Sequence, residues 1–415
     1  MTEERTVLDH AAVLDVVAGK LVPDRRVVVR GAAIEAIEPA AGAGVSHAGG
    51  TSAGATVIDV GGRTVMPGLC DAHVHVTAWS ADLSDLLRSS PFYTALRAAP
   101  ILNAMLMRGF TTVRDAGGAD FGLAQAVKEG RIAGPRILFC GRGLSQTGGH
   151  GDTRARGEDV VEGIGSSARL CQLCDGVDAV RLACRNEIRR GASHIKLMLS
   201  GGVVSPTDRL TNAQFSEDEI RAAVEETEMA GLYCMAHTYT ARAVNRAIAC
   251  GVRSLEHCNL IDRSSIELFV KHGAWMVPTL ATYEVIAAEG GYPEDILAKL
   301  AEVKDSGLRA LASAYEGGVK LAYGTDLLGP MHKHQLQEFA IRSAVQPAAE
   351  IIRAATCYAA ELFHEAGRTG VVAAGARADL LVVDGNPLKD LACLQAPDRC
   401  LVAIMKAGVF YKNRL

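Results

Sequence analysis

No run of apolar residues in the 415-residue chain approaches the ~18 that a helix needs to span a membrane. The opening Met1-Thr2-Glu3-Glu4-Arg5 lacks the basic-then-apolar layout of a signal peptide. A cytoplasmic protein with no membrane partner is therefore the expectation. An excess of charge of one sign is also missing. Lys and Arg number 43 against 47 Asp and Glu, a net charge of −4, and the two signs are interspersed. That leaves no basic footprint for nucleic acid and no polybasic patch for a lipid surface.

The cysteines lack a framework. There are eleven, an odd number, set in apolar segments such as Ile137-Leu138-Phe139-Cys140 and Tyr233-Cys234-Met235, as reduced, buried thiols are. Cys171-Gln172-Leu173-Cys174 has the spacing of a redox or zinc pair, but no second pair stands at zinc-ribbon distance, so these two are expected to be neighbours on one helix. Internal repeats of 20–50 residues and low-complexity tails are absent as well.

What is present is a composition that buries a large core: 49% hydrophobic residues with 22% charged. The length exceeds one ordinary core, so a large domain with a smaller companion is expected. Residues 1–65 carry β-branched runs, Thr6-Val7-Leu8, Val27-Val28-Val29 and Thr56-Val57-Ile58-Asp59-Val60, between Gly-rich turns. Ala40 to Ala55, nearly all Ala, Gly and Ser, reads as a mobile loop. From Val65 the pattern becomes short apolar strands alternating with helical stretches. Candidate strands are Val65–Val76, Thr111–Ala116, Arg136–Gly141, His194–Leu199, Tyr233–Thr238, Ser254–Cys258, Trp275–Leu280 and Leu321–Asp326. One intervening helix opens on Ser216-Glu217-Asp218-Glu219, a capping-box pattern. Eight strands alternating with helices predict an α/β fold, a (β/α)8 TIM-type barrel, over residues 66–364. Strand character returns after 365, in Leu380-Leu381-Val382-Val383 and Leu401-Val402-Ala403-Ile404. Residues 1–65 and 365–415 are thus expected to form one small β-sandwich domain from both termini.

Successive side chains on a strand alternate faces, so in Asp71-Ala72-His73-Val74-His75 the two imidazoles point one way. Neutral imidazole is a good ligand for zinc-like ions. Working residues in such barrels lie at the C-terminal strand ends. There the fourth strand carries Lys196, the fifth His237, the sixth His257 and the eighth Asp326. Alone, His237 or His257 reads as a hydrogen-bonded core histidine; six such groups at one barrel mouth do not.

These residues resemble the amidohydrolase superfamily of metal-dependent hydrolases. Gly148-Gly149-His150-Gly151-Asp152, Ile195-Lys196-Leu197-Met198-Leu199-Ser200-Gly201-Gly202-Val203, His237-Thr238-Tyr239 and Gly324-Thr325-Asp326-Leu327-Leu328-Gly329 are similar to its Xaa-Pro dipeptidase and carboxypeptidase-type branch, to which bacterial ochratoxin-hydrolysing amidohydrolases are close. The resemblance implies two divalent ions, zinc with manganese or cobalt tolerated. Lys196, carboxylated by CO2, would bridge them, with His73, His75 and Asp326 on one ion and His237 and His257 on the other. The residues agree with this: burial between Ile195 and Leu197 should depress the Lys196 pKa and free the amine for CO2. By the same resemblance a hydroxide shared by the metals is the nucleophile and Asp326 the general base, then acid. Assembly into a homo-oligomer is also implied.

The substrate implied is a small amide or dipeptide with a C-terminal amino acid. His150 and Tyr239 would hold its α-carboxylate, helped by backbone N–H groups of Gly201, Gly202 and Val203. Tyr283, in Pro278-Thr279-Leu280-Ala281-Thr282-Tyr283-Glu284, would wall an apolar pocket, whereas Glu284 would suit a basic residue. Whether the leaving residue is Pro, Arg/Lys or Phe stays open. His332 and His334 read as loop residues. A deaminase or cyclic-amide hydrolase on the same scaffold is the alternative, weakened by Lys196 and by the lack of Glu in Thr238-Tyr239-Thr240. A non-catalytic scaffold relative would have lost ligands that this chain keeps.

Overall fold

The computed structural model describes residues 5–40, 55–154, 157, 169–205, 207–290 and 293–415. The Ala/Gly/Ser stretch expected to be a loop lies, at 41–54, outside the described residues. The chain divides into two compact units, Met1–Cys70 with Ala104–Thr112 and Pro347–Leu415, and Asp71–Asn103 with Val113–Gln346. The first therefore takes in more of the chain than the two terminal β-rich stretches.

In the first unit, strands from both termini share one sheet. Its order is Val409–Asn413, Leu401–Lys406, Leu380–Val383, Thr64–Pro67, Arg5–Asp15, Lys20–Arg30 and Ala33–Pro39, with Ala55–Asp59 paired parallel to the start of Arg5–Asp15. The termini meet where Val65 pairs antiparallel with Val382. Leu8, Val27, Ile34, Val65, Leu380 and Met405 form the core of this unit, each almost wholly removed from water. β-branched and aliphatic residues facing one side of a sheet give it that buried face.

The expected strand Val65–Val76 is two strands, Thr64–Pro67 and Leu69–Val74. Gly68 separates them, where an added Cβ would stand 2.1 Å from Thr111 Oγ1. Only glycine lets the chain approach that closely.

The second unit carries the barrel. The barrel strands are Leu69–Val74 and Phe110–Asp115, each of which begins within the first unit, then Arg136–Phe139, Ile195–Met198, Cys234–Thr240, Ser254–Leu260, Trp275–Val277 and Lys320–Leu321. From the fourth onward they pair in parallel, with Met198 opposite His237, His237 opposite Glu256, and Met276 opposite Leu321. The ring closes where Ala72 N–H donates to Tyr323 O (2.7 Å) and Asp326 N–H to His73 O (2.8 Å). Leu197, Ala236, Leu255 and Met276 pack outward among Val180, Ala223, Val244 and Phe269. The alternate strand positions, Lys196, His237 and Glu256, are thereby left for the interior.

Two strands are shorter than their apolar runs. Trp275–Val277 stops because Pro278 intervenes and Thr279 adopts φ 47° before the helix Leu280–Glu289. After Lys320–Leu321 the chain runs on to Asp326 at φ 52°. The expected helix after Ser216 is present as Glu217–Met229, its capping box complete. No helix among the described residues is long and apolar enough to cross a membrane.

Candidate metal centre

His73 and His75 do face one way. The Nε2 atoms of both approach Asp326 Oδ1, at 3.4 and 3.3 Å. His73, His257 and Asp326 offer ligand atoms within 4.8 Å of one another. The His257 ring lies 5.1 Å from His73 and 4.6 Å from His237 between centroids. Lys196 opens onto the same cavity as all four histidines and Asp326.

Each imidazole has one nitrogen tied back. His73 Nδ1 bonds Glu256 Oε2 (2.8 Å), His75 Nδ1 bonds Gly117 O (3.0 Å), His237 Nε2 bonds Gly201 O (3.2 Å) and His257 Nδ1 bonds Thr279 Oγ1 (2.7 Å). For the first three the partner is a carboxylate or a carbonyl, which only accepts, so that nitrogen carries the proton and the other carries the lone pair. Outer-shell bonds of this kind fix the tautomer of ligating histidines. Burial holds His237 and His257 well below the usual imidazole pKa, hence neutral. Lys196 is pushed down by its burial, against the pull of Glu256 and Asp326. Burial opposes ionisation of Asp326, but the charge and hydrogen bond of His73 outweigh it and hold the carboxyl well below its ordinary range. Neutral His237 and His257, two further imidazoles turned to one carboxylate, a lysine whose burial favours its neutral form and an ionised Asp326 are a donor set that fits divalent metal. Local backbone is bent to deliver it: His257, Thr279 and Asp326 all have left-handed φ, 72°, 47° and 52°. Such conformations cost about 1–3 kcal/mol each and cluster at functional sites.

Beneath the histidines lies a charged support that sequence reasoning missed. Arg114, wholly buried, donates to Ala72 O (2.7 Å), Ser254 Oγ (3.0 Å) and Glu256 Oε1 (2.9 Å). Asp71 accepts from His73 N–H, Thr325 Oγ1 and Gln335 Nε2, which binds the first strand to the turn that ends in Asp326. Burial raises its pKa to about 6 despite those bonds. A charge in an otherwise apolar strand was the available signal, as in Thr112-Val113-Arg114-Asp115 and Leu255-Glu256-His257, because such a charge needs a partner.

The cavity in front of the cluster has a volume of ≈ 180 Å³. His150 lines it, stacked on His237 at 4.1 Å. Leu83, Leu86, Leu87, Leu170, Leu173 and Leu328 form an apolar side, and Arg154 and Arg169 also face it. The other expected substrate contacts are not on this wall. Tyr239, Tyr283 and Val203 sit in an apolar cluster with Val285 and Leu327. Tyr239 stacks behind His257 at 5.3 Å, and its hydroxyl accepts from Tyr283 (3.1 Å). The N–H groups of Gly201 and Gly202 are already spent, on Asn212 O (3.1 Å) and on Ser205 Oγ and Asp208 Oδ1 (3.1 and 3.3 Å). Glu284 pairs with Lys304 (3.1 Å). His332 bonds Ala78 O (3.0 Å) within a 3-10 turn, Gly329–His334. Cys171 is on a short strand, Cys171–Leu173, not a helix; burial raises its thiol and that of Cys174 to about 12, which leaves both unreactive.

A barrel presenting this donor set at its strand ends is that of a hydrolase. The chain belongs to the amidohydrolase family, whose profile matches residues 64–410, and members of that superfamily are generally metal-dependent. The ochratoxinase of Aspergillus niger is 34% identical over 366 residues, 84% of this chain and 76% of that protein. The crystal structure of a prolidase complexed with N-methylphosphonate-L-proline is 46% identical, with a TM-score of 0.92 over 99% of this chain and 100% of that one. A Xaa-Pro dipeptidase with methionine bound in its active site is 27% identical, with a TM-score of 0.87 over 99% and 100%. These relatives agree with the branch that the sequence motifs resemble.

Proposed function

We propose that the chain hydrolyses the amide bond to a C-terminal amino acid in dipeptides or N-acyl amino acids, N-aroyl-phenylalanine amides of the ochratoxin type among them. The observation that carries this reading is the set of four histidines around Asp326 and Lys196, each tied back through one ring nitrogen. The ochratoxinase relative and the prolidase complexed with N-methylphosphonate-L-proline support the choice of bond. His73, His75 and Asp326 would hold one divalent ion, zinc by the nature of the donors, and His237 and His257 a second, with Lys196 as a carbamate between them. Bound there, the ions supply an acidified water and a Lewis acid for the carbonyl.

Asp326 keeps one carboxylate oxygen for proton work. Held ionised, it takes a proton from the attacking water and returns it to the leaving nitrogen. Glu256, through His73 Nδ1, and Gly117, through its carbonyl on His75, keep the rings turned to the centre. The leucine side of the cavity receives an apolar side chain and keeps water from the scissile bond.

The test is hydrolysis by the metal-loaded protein of Xaa-Pro, Xaa-Arg and Xaa-Phe dipeptides and N-aroyl-phenylalanine amides. Turnover of Xaa-Phe or the aroyl amides is expected; no turnover of any of the four would refute the proposal.

A further inference from the structure

Thr279 stands at the N-cap position of the helix Leu280–Glu289, where a threonine hydroxyl ordinarily accepts from the first free N–H groups of its helix. Here it makes no such bond, and its backbone is held at φ 47°, a left-handed conformation that a β-branched residue rarely adopts. The hydroxyl is turned to His257 instead. Thr279 Oγ1 lies 2.7 Å from His257 Nδ1, whereas Asp326 Oδ2, at 3.9 Å, is beyond hydrogen-bond reach of that nitrogen.

A chain of hydroxyls sets the direction of the protons. Tyr283 gives its proton to Tyr239 (3.1 Å), so in its side-chain bond with Thr279 the Tyr283 oxygen accepts. Thr279, having donated to Tyr283, accepts from His257 Nδ1–H. The His257 lone pair then lies on Nε2.

The place of the missing cap is taken by Glu338, on the helix Gln337–Arg342. Its Oε2 accepts from Ala281 N–H at 2.8 Å, and Leu280 N–H bonds the same side chain. A carboxylate suits the positive end of a helix. Arg342 Nε holds its other oxygen (2.9 Å), while Arg342 Nη2 donates to Ala322 O (2.6 Å). Thr279, Glu338 and Arg342 are all wholly buried. A buried carboxylate is unfavourable unless it is paired and hydrogen-bonded, and this one is directed at the two amides that follow the strained threonine.

We infer that Thr279 and Glu338 are positioning residues for His257: Thr279 fixes the tautomer that leaves Nε2 for the second ion, and Glu338, capping the helix in place of Thr279, frees that hydroxyl and holds its backbone. The inference rests on the proposed metal centre for the ion, and on these hydrogen bonds for the residues.

The experiment measures metal binding beside turnover. Zn2+ binding to chelator-treated wild type, Thr279→Ser, Thr279→Ala and Glu338→Gln is followed by competition with a chromophoric chelator, and hydrolysis of an Xaa-Phe dipeptide is measured on the same samples. Wild type should bind two ions, and Thr279→Ser should bind both within about threefold of wild type. Thr279→Ala, which differs from Thr279→Ser by the hydroxyl alone, should lose roughly 10- to 100-fold for one ion, with the other changed less than about threefold. Glu338→Gln should weaken the same ion by a smaller factor. A general loosening of the barrel would weaken both ions and would not respond to the serine. Selective loss of one ion with no hydrolysis in any sample removes the proposed reaction and leaves the positioning role standing. Hydrolysis by wild type, with the two ions held as tightly in Thr279→Ala as in Thr279→Ser or weakened equally, overturns the positioning role and leaves the reaction. Fewer than two ions in wild type overturns both.

Discussion

Replacing Glu256 by Gln should damage the protein far more than its single-atom change suggests. Glu256 is wholly buried, and three donors converge on it: Arg114 Nη2 at 2.9 Å and Ser254 Oγ at 2.6 Å on one oxygen, and His73 Nδ1 at 2.8 Å on the other. A glutamine amide must turn its NH2 toward one of those sides, where it meets a donor. The Arg114 guanidinium is also left buried without its counter-charge. Breaking a buried pair in this way costs about 3–5 kcal/mol, a large part of the 5–15 kcal/mol that typically separates folded from unfolded. Burial favours protonation of Glu256, but the charge of Arg114 and the hydrogen bond of His73 win and hold its pKa well below the ordinary carboxyl value. The stabilisation is therefore complete above the unfolded pKa of ~4.3 and fades as the pH falls below it toward the folded value. Urea unfolding of chelator-treated wild type and Glu256→Gln at pH 7 and again below pH 4 measures this without metal. A difference under about 1 kcal/mol at pH 7, or one that does not shrink in acid, would refute the argument.

Asp71 has the opposite sense. Its pKa is raised by burial to about 6, so wild type should lose stability relative to Asp71→Asn as the pH rises from ~4 through about 6, by at most ~3 kcal/mol; denaturation midpoints across pH 4–8 that stay parallel would contradict this. A methyl at position 202 would stand 2.0 Å from His150 Nδ1. Gly202→Ala should therefore push the ring off Ser205, destabilise the protein by roughly 1–3 kcal/mol and raise KM. Wild-type stability and kinetics in that variant would show that the loop yields freely.

The histidines, Lys196 and Asp326 were legible because a strand has a period of two and a barrel gathers its strand ends. The spacing of His73 and His75 alone is a weak signal; it gains weight from Lys196, His237, His257 and Asp326 at the ends of later strands. The support beneath them was not legible, since Arg114 and Glu256 are 142 residues apart and nothing local pairs them. The loop after Lys196 is less legible for a related reason. Its glycines suggest free N–H groups, but Ser205, Asp208 and Asn212 take them up from within the same loop, a closure no periodicity encodes. Tyr239 shares the strand direction of His237, yet its hydroxyl partner, Tyr283, comes from a helix after the seventh strand. Similarly, the break at Gly68 follows from the side chain of Thr111, 43 positions downstream.

The central claim is that Lys196 and the four histidines hold two divalent ions with Asp326. Metal content per chain, measured on carefully purified wild type and on Lys196→Ala, addresses it directly. The account predicts about two zinc-like ions in wild type and at most one in Lys196→Ala; fewer than one in wild type, or two in both proteins, would contradict it.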